Sequence, residues 1–154
     1  MVLSIFNSVE FYIFSFAVAM VIVAFFMHPN DKGEAHTFFA RGFLLPSDSE
    51  PSVELKYDDE QNLTVVRRGV FLNTLDCELN YAITVIGKDI KISEKLVMDR
   101  MAELNRQTVD VAFSTDKILP GKYHIFLESQ WSGQWATGSF RLESGRYKTL
   151  EVHT

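Results

Sequence analysis

From Phe11 to Met27 the chain reads FYIFSFAVAMVIVAFFM, without a charge and without a polar face; beyond residue 35 the apolar positions fall on every second residue. The two patterns predict two kinds of element. About 17 apolar residues rising 1.5 Å each, with the mostly apolar Met1–Val9 ahead of them, can cross a hydrocarbon core of about 30 Å as one helix. A helix buried in a globular domain would keep a polar stripe, so residues 1–29 read as a transmembrane anchor. His28-Pro29-Asn30-Asp31 ends it, because proline cannot continue a helix, and residues 30–35 read as a short tether. Ala17-Val18-Ala19 has the small-residue spacing of a signal-peptide cleavage site. Yet no Lys or Arg precedes the run, and cutting there would leave MVIVAFFM exposed, so an uncleaved anchor is expected.

Residues 36–154 read as one all-β domain. Val53, Leu55 and Tyr57 alternate with Ser52, Glu54 and Lys56; Leu63 and Val65 follow a polar turn. Leu79, Tyr81, Ile83 and Val85 form a second set, Val109, Val111 and Phe113 a third, and Tyr123, Ile125 and Leu127 a fourth. Trp135–Leu142 and Thr149–Val152 complete the series. Half-buried antiparallel strands produce this alternation. Asp58-Asp59, Gly87-Lys88-Asp89, Pro120-Gly121, Ser132-Gly133 and Ser144-Gly145 punctuate it as turns. Some seven or eight short strands at this spacing predict a small sandwich. One stretch breaks the period: over Ser93–Arg106, Val97, Met101 and Leu104 share a helical face and Ser93 is placed to cap it, which predicts a short helix or an irregular crossover.

Leu119-Pro120-Gly121-Lys122-Tyr123 is more specific. Leu119, Gly121 and Tyr123 have the spacing of a tyrosine corner, in which the Tyr hydroxyl bonds backbone a few residues upstream. This favours an immunoglobulin-like antiparallel sandwich. Twelve residues on from Leu119, Trp131 and Trp135 flank the Ser132-Gly133 turn. They read as aromatics closing one end of the core, or as an exposed patch that docks a membrane partner or the headgroup region. Together with Phe11, Phe14, Phe25 and Phe26 on the anchor they are the candidate partner contacts.

Composition narrows the function. A hydrophobic share of 47% with 13% aromatics is enough for a core, and a net charge of −5 excludes the basic stripe that nucleic-acid binding needs. Cys77 is the only cysteine, so neither an intrachain disulfide nor a CxxC site can form. The histidines, His28, His36, His124 and His153, have no metal-ligand spacing; a copper site from His28 or His36 with Met20 or Met27 is the one metal arrangement they allow. GxSxG, phosphate-loop and HExxH motifs are missing, so no enzyme, no cofactor and no small-molecule substrate are expected. Arg67-Arg68 reads as a solvated strand edge, and Asn62-Leu63-Thr64 fits a glycosylation sequon. Lys32 and Arg41 after the anchor, against the free amine before it, lean toward a cytoplasmic domain on the charge rule.

Toward the end of the chain Pro120-Gly121-Lys122-Tyr123, Ile125, Leu127-Glu128, Gly133-Gln134-Trp135 and Gly138-Ser139-Phe140 follow one another in order. In this order, with the single anchor and the total length, the chain resembles the FixH family, also called CcoH. The acidic-Tyr-Tyr motif that members often carry just past the membrane is replaced here by His36-Thr37-Phe38-Phe39. The resemblance implies an assembly or stability factor for a C-type haem–copper cytochrome oxidase. It further implies a place in a bacterial inner membrane, with the domain in the periplasm and integral-membrane subunits as partners. That side of the membrane is opposite to the one the charge rule favours. A structural subunit of another membrane machine, such as a secretion or translocation complex, and an extracytoplasmic metal- or ligand-binding module are the alternatives.

Overall fold

The computed structural model describes residues 34–74, 76–101 and 103–154; the expected anchor, most of the tether, and Phe11, Phe14, Phe25 and Phe26 lie outside them. Among the described residues there are ten strands and no helix. They are β1 (His36–Arg41), β2 (Phe43–Pro46), β3 (Ser52–Tyr57), β4 (Leu63–Leu72), β5 (Cys77–Ile86), β6 (Asp89–Met98), β7 (Gln107–Ser114), β8 (Gly121–Ser129), β9 (Trp135–Leu142) and β10 (Tyr147–Glu151). One sheet has the order β1-β5-β6-β8-β9 and the other β10-β3-β4-β7-β2. Neighbours are antiparallel except β6 and β8, which run parallel.

Alternation sets the core. Val53, Leu55, Leu63, Val65, Val109 and Val111 point inward from one sheet, and Leu79, Ile83, Ile90, Ile92, Ile125 and Leu127 from the other; all are essentially inaccessible. Each such side chain contributes about 1.5–3 kcal/mol by leaving water. The Tyr81 ring stacks on Phe113 across the sheets, with centroids 3.8 Å apart and an interplanar angle of 16°. The crossover from β7 to β8 is held by two tyrosines, one from each sheet. Tyr57 donates its hydroxyl to the Ile118 carbonyl at 2.6 Å, and Tyr123 to the Leu119 carbonyl at 2.9 Å. Burial raises the hydroxyl pKa of both.

Two glycines shape the sheets. β1 and β2 are one strand that changes sheet at Gly42, whose N–H donates to the Leu79 carbonyl at 2.7 Å. A Cβ there would collide with the Val111 side chain, so only glycine lets the chain cross so close to the core. In β4 the register slips between Arg67 and Val70. Gly69, at φ 66°, makes this bulge, and Asp110 accepts its N–H at 3.1 Å while also bonding Arg68 at 2.7 Å. The bulge moves the inward phase from Leu63, Val65 and Arg67 to Val70 and Leu72.

Of the short helix or irregular crossover expected over Ser93–Arg106, the described residues form no helix. Ser93–Met98 is the end of β6, and residues 99–101 and 103–106 are turn and coil on the way from one sheet to the other. The three residues that suggested a helical face, Val97, Met101 and Leu104, are exposed, so no core faces them. The strand was hidden because an inward position of β6 carries a charge, Glu94, which breaks the alternation begun by Ile90 and Ile92. β1 and β2 had no strand assigned either: HTFFARGFLLP does not alternate cleanly, since the strand faces different sheets before and after Gly42.

Candidate functional site

β8 and β9 form a hairpin whose turn carries Trp131 and leads to Trp135, and the structure separates the two rings. Trp131 folds inward. It is half-buried, and its indole N–H donates to Glu94 Oε1 at 3.1 Å. Trp135 lies on the outer face, 38% exposed, with its ring 4.5 Å from that of His153. Its backbone exchanges two hydrogen bonds with His153, at 3.0 and 2.8 Å, which ties the C-terminus to the edge of β9. The two tryptophans therefore make no common patch.

Beneath Trp131 the two sheets are joined by charge. Arg67, read from the sequence as a solvated strand edge, projects inward from β4 and is fully buried, and so is its partner Glu94 on β6. Arg67 Nε bonds Glu94 Oε2 at 3.0 Å and Nη2 bonds Oε1 at 3.3 Å, a two-point pairing. Nη2 also donates to Gln134 Oε1 at 3.0 Å. The Tyr81 hydroxyl donates to Glu94 Oε2 at 2.7 Å. Each carboxylate oxygen thus accepts two bonds, which fills its capacity. Arg67 Nη1 is buried without a partner in the protein. Burial, followed by the charge of Glu94, holds the Tyr81 hydroxyl pKa well above its ordinary value, so it remains a donor. The cluster fixes sheet against sheet and holds the 129–135 hairpin through Trp131 and Gln134. Its groups bond one another, which suits positioning rather than turnover.

The signal for this cluster was present in the sequence. Arg67 is in phase with Leu63 and Val65, and Glu94 with Ile90 and Ile92, so opposite charges occupy the inward phase of two strands.

On the outer face of the other side of the same sheet, the small residues Ala82 and Ser93 leave a groove of about 510 Å³ bounded by Phe39, Arg41, Lys95 and Gln130. Phe39 is 82% exposed and forms one wall. Leu119 is exposed, and the tyrosine-corner residues Leu119, Gly121 and Tyr123 sit at the β7–β8 crossover, in the opposite direction from Trp131 along β8. The histidines stay apart: His36 lies on β1, His124 bonds the Thr137 hydroxyl at 3.0 Å, His153 stacks on Trp135, and His28 is outside the described residues. No group of three or more His, Cys, Asp or Glu side chains gathers among the described residues. The Cys77 thiol donates to the Thr74 carbonyl at 3.2 Å, and burial, then the Asp76 charge, pushes its pKa up.

The separation of the tryptophans has a measurable consequence. Trp131→Phe removes a donor to a buried carboxylate and should cost about 1.5–3 kcal/mol, whereas Trp135→Phe should cost less than about 1 kcal/mol. Urea denaturation checks the order. Acrylamide quenching checks the geometry, with the ring left in Trp131→Phe quenched more strongly than the ring left in Trp135→Phe.

The chain matches no family model, no curated protein and no solved structure.

Proposed function

We propose that the protein is a single-pass membrane-anchored, non-enzymatic accessory or assembly protein of a respiratory membrane complex. Residues 1–29 are the anchor, 30–35 the tether and 36–154 an immunoglobulin-like domain. The domain lies in the periplasm of a bacterial inner membrane, and its partners are integral-membrane subunits. The observation that carries the reading is the charge-free run Phe11–Met27, followed after only a few residues by a folded domain whose first strand begins at His36. Six tether residues span at most about 20 Å, so the domain stays within reach of neighbours in the same membrane. The likeness of Pro120–Phe140 to the FixH family points to a haem–copper cytochrome oxidase as the complex. The tyrosine hydrogen bond from Tyr123 to Leu119 supports the immunoglobulin-like assignment, while the parallel pairing of β6 with β8 departs from the all-antiparallel pattern.

Purification of the tagged full-length protein in mild detergent, with mass spectrometry of what accompanies it, tests the proposal. Haem–copper oxidase subunits are the expected companions. Subunits of another machine would keep the accessory role and discard the oxidase. A protein recovered alone would remove the accessory role itself.

A further inference from the structure

The lateral edges of the sandwich are unequal. The β9–β10 side is closed: the backbone of Trp135 is bonded to His153, and Lys148 Nζ donates to the Ser139 carbonyl at 2.5 Å. β2 is a four-residue edge that ends in Pro46, a residue that cannot donate to an added strand. β1 has none of these protections. It pairs with β5 without interruption from His36↔Val85 to Arg41↔Asn80, and no described strand lies on its other side. It contains neither Pro nor Lys nor a bulge; its one formal charge, Arg41, is at the far end and is drawn back to Glu78 on β5 at 2.9 Å, and Phe39 stands 82% exposed beside the Ala82–Ser93 groove. Sheet edges left in this state accept another strand.

We infer that β1 receives an extended segment of an integral-membrane partner by strand addition, with an apolar side chain of that segment packed against Phe39. This rests on the anchored reading above. A row of backbone N–H and C=O groups is satisfied by an extended polypeptide, while lipid supplies no such donors and acceptors in register. The place of β1 in the chain selects which polypeptide. Only residues 30–35 separate it from the anchor, about 20 Å at full extension, so the partner segments within reach are those beside the partner's own membrane helices. A second copy, which would pair edge to edge in the antiparallel sense, is the competing occupant that the crosslink tells apart.

The full-length chain, expressed in its membrane with the photo-crosslinker p-benzoylphenylalanine in place of Phe39 or of Met101, tests the inference. Met101 is 91% exposed in the loop after β6, at the other end of the sandwich from His36. The expected result is a crosslink from position 39, not from 101, to a non-helical partner segment within about ten residues of a membrane helix. Phe39→Lys should lower recovery of that partner at least about tenfold, and Met101→Lys should leave it unchanged. Phe39→Lys replaces an exposed side chain, so an unaltered urea midpoint separates lost docking from lost folding. A crosslink from position 39 to lipid or to a second copy, or full recovery of the partner by Phe39→Lys, overturns the inference. A partner recovered with wild type but never crosslinked from position 39 overturns it alone. If wild type recovers no partner at all, the anchored-accessory reading falls and the inference with it.

Discussion

Replacing Glu94 with alanine will destabilise the domain by about 3–5 kcal/mol, because it strands a guanidinium in the core. Arg67 is 0% exposed and already has one nitrogen, Nη1, without a protein partner. Without Glu94, Nε also loses its acceptor, Nη2 keeps only Gln134, and the Tyr81 hydroxyl and Trp131 N–H lose their common acceptor. Against a usual total of about 5–15 kcal/mol, such a loss leaves little stability. The pair itself is a different matter. Two charges out of water lose nearly as much hydration as they gain from each other, so replacing both with apolar residues of similar volume should be far milder. Arg67→Met with Glu94→Leu, and Tyr81→Phe to remove the orphaned hydroxyl, is therefore expected to recover most of what Glu94→Ala loses. Urea denaturation of residues 34–154, which hold the whole described core, measures both. A cost below about 1 kcal/mol for Glu94→Ala would mean that water reaches Arg67 and that the sheets are not dry at this point.

Gly69→Ala is expected to cost about 2–4 kcal/mol. A β-carbon at φ 66° costs about 1–2 kcal/mol by itself. The added atom would also press on backbone, with Pro51 N at 2.7 Å and Glu50 C at 2.8 Å, and main chain cannot rotate away as a side chain can. Crowding of this kind adds about 1–3 kcal/mol. Gly69→Asn separates the two causes. Asparagine tolerates a positive φ better than alanine does, so if crowding dominates, both variants lose about the same stability. Recovery of most of the loss by asparagine would make strain the cause. The effect should extend beyond the bulge. If the slip between Arg67 and Val70 were removed, either Arg67 or the pair Val70 and Leu72 would turn outward.

Much of the fold was legible because alternation is a local consequence of burying one face. Val53, Leu55 and Tyr57, or Tyr123, Ile125 and Leu127, declare their strands without knowledge of any neighbour. The Pro120-Gly121 and Ser132-Gly133 turns declare themselves through residues that suit tight backbone. Legibility failed where a neighbour changed the meaning of a residue. Glu94 broke the alternation of its strand, since nothing local says that Arg67, 27 positions away, will meet it in the core. Phe38-Phe39 lost its period because Gly42 moves the chain from one sheet to the other.

The candidate site divides in the same way. Trp131 and Trp135 were picked out as a pair by spacing, but one ring is drawn into the core by a carboxylate from β6 and the other is held outside against His153. Four residues of sequence cannot tell these fates apart, because the acceptors come from distant segments. The edge position of β1 among the described strands is likewise a property of the sheet, defined by which of them pair with it.

By itself, then, the sequence determined an all-β domain after residue 35, the phase of most strands, the turns between them and the position of a charge-free apolar run over residues 11–27. Each of these depends on residues within a few positions of one another. Only the tertiary structure decided the parallel β6–β8 pairing, the buried Arg67–Glu94 bond and the place of β1 at the edge of the described sheet. Those depend on which strands become neighbours, and that choice is made by burying the faces of all ten strands at once.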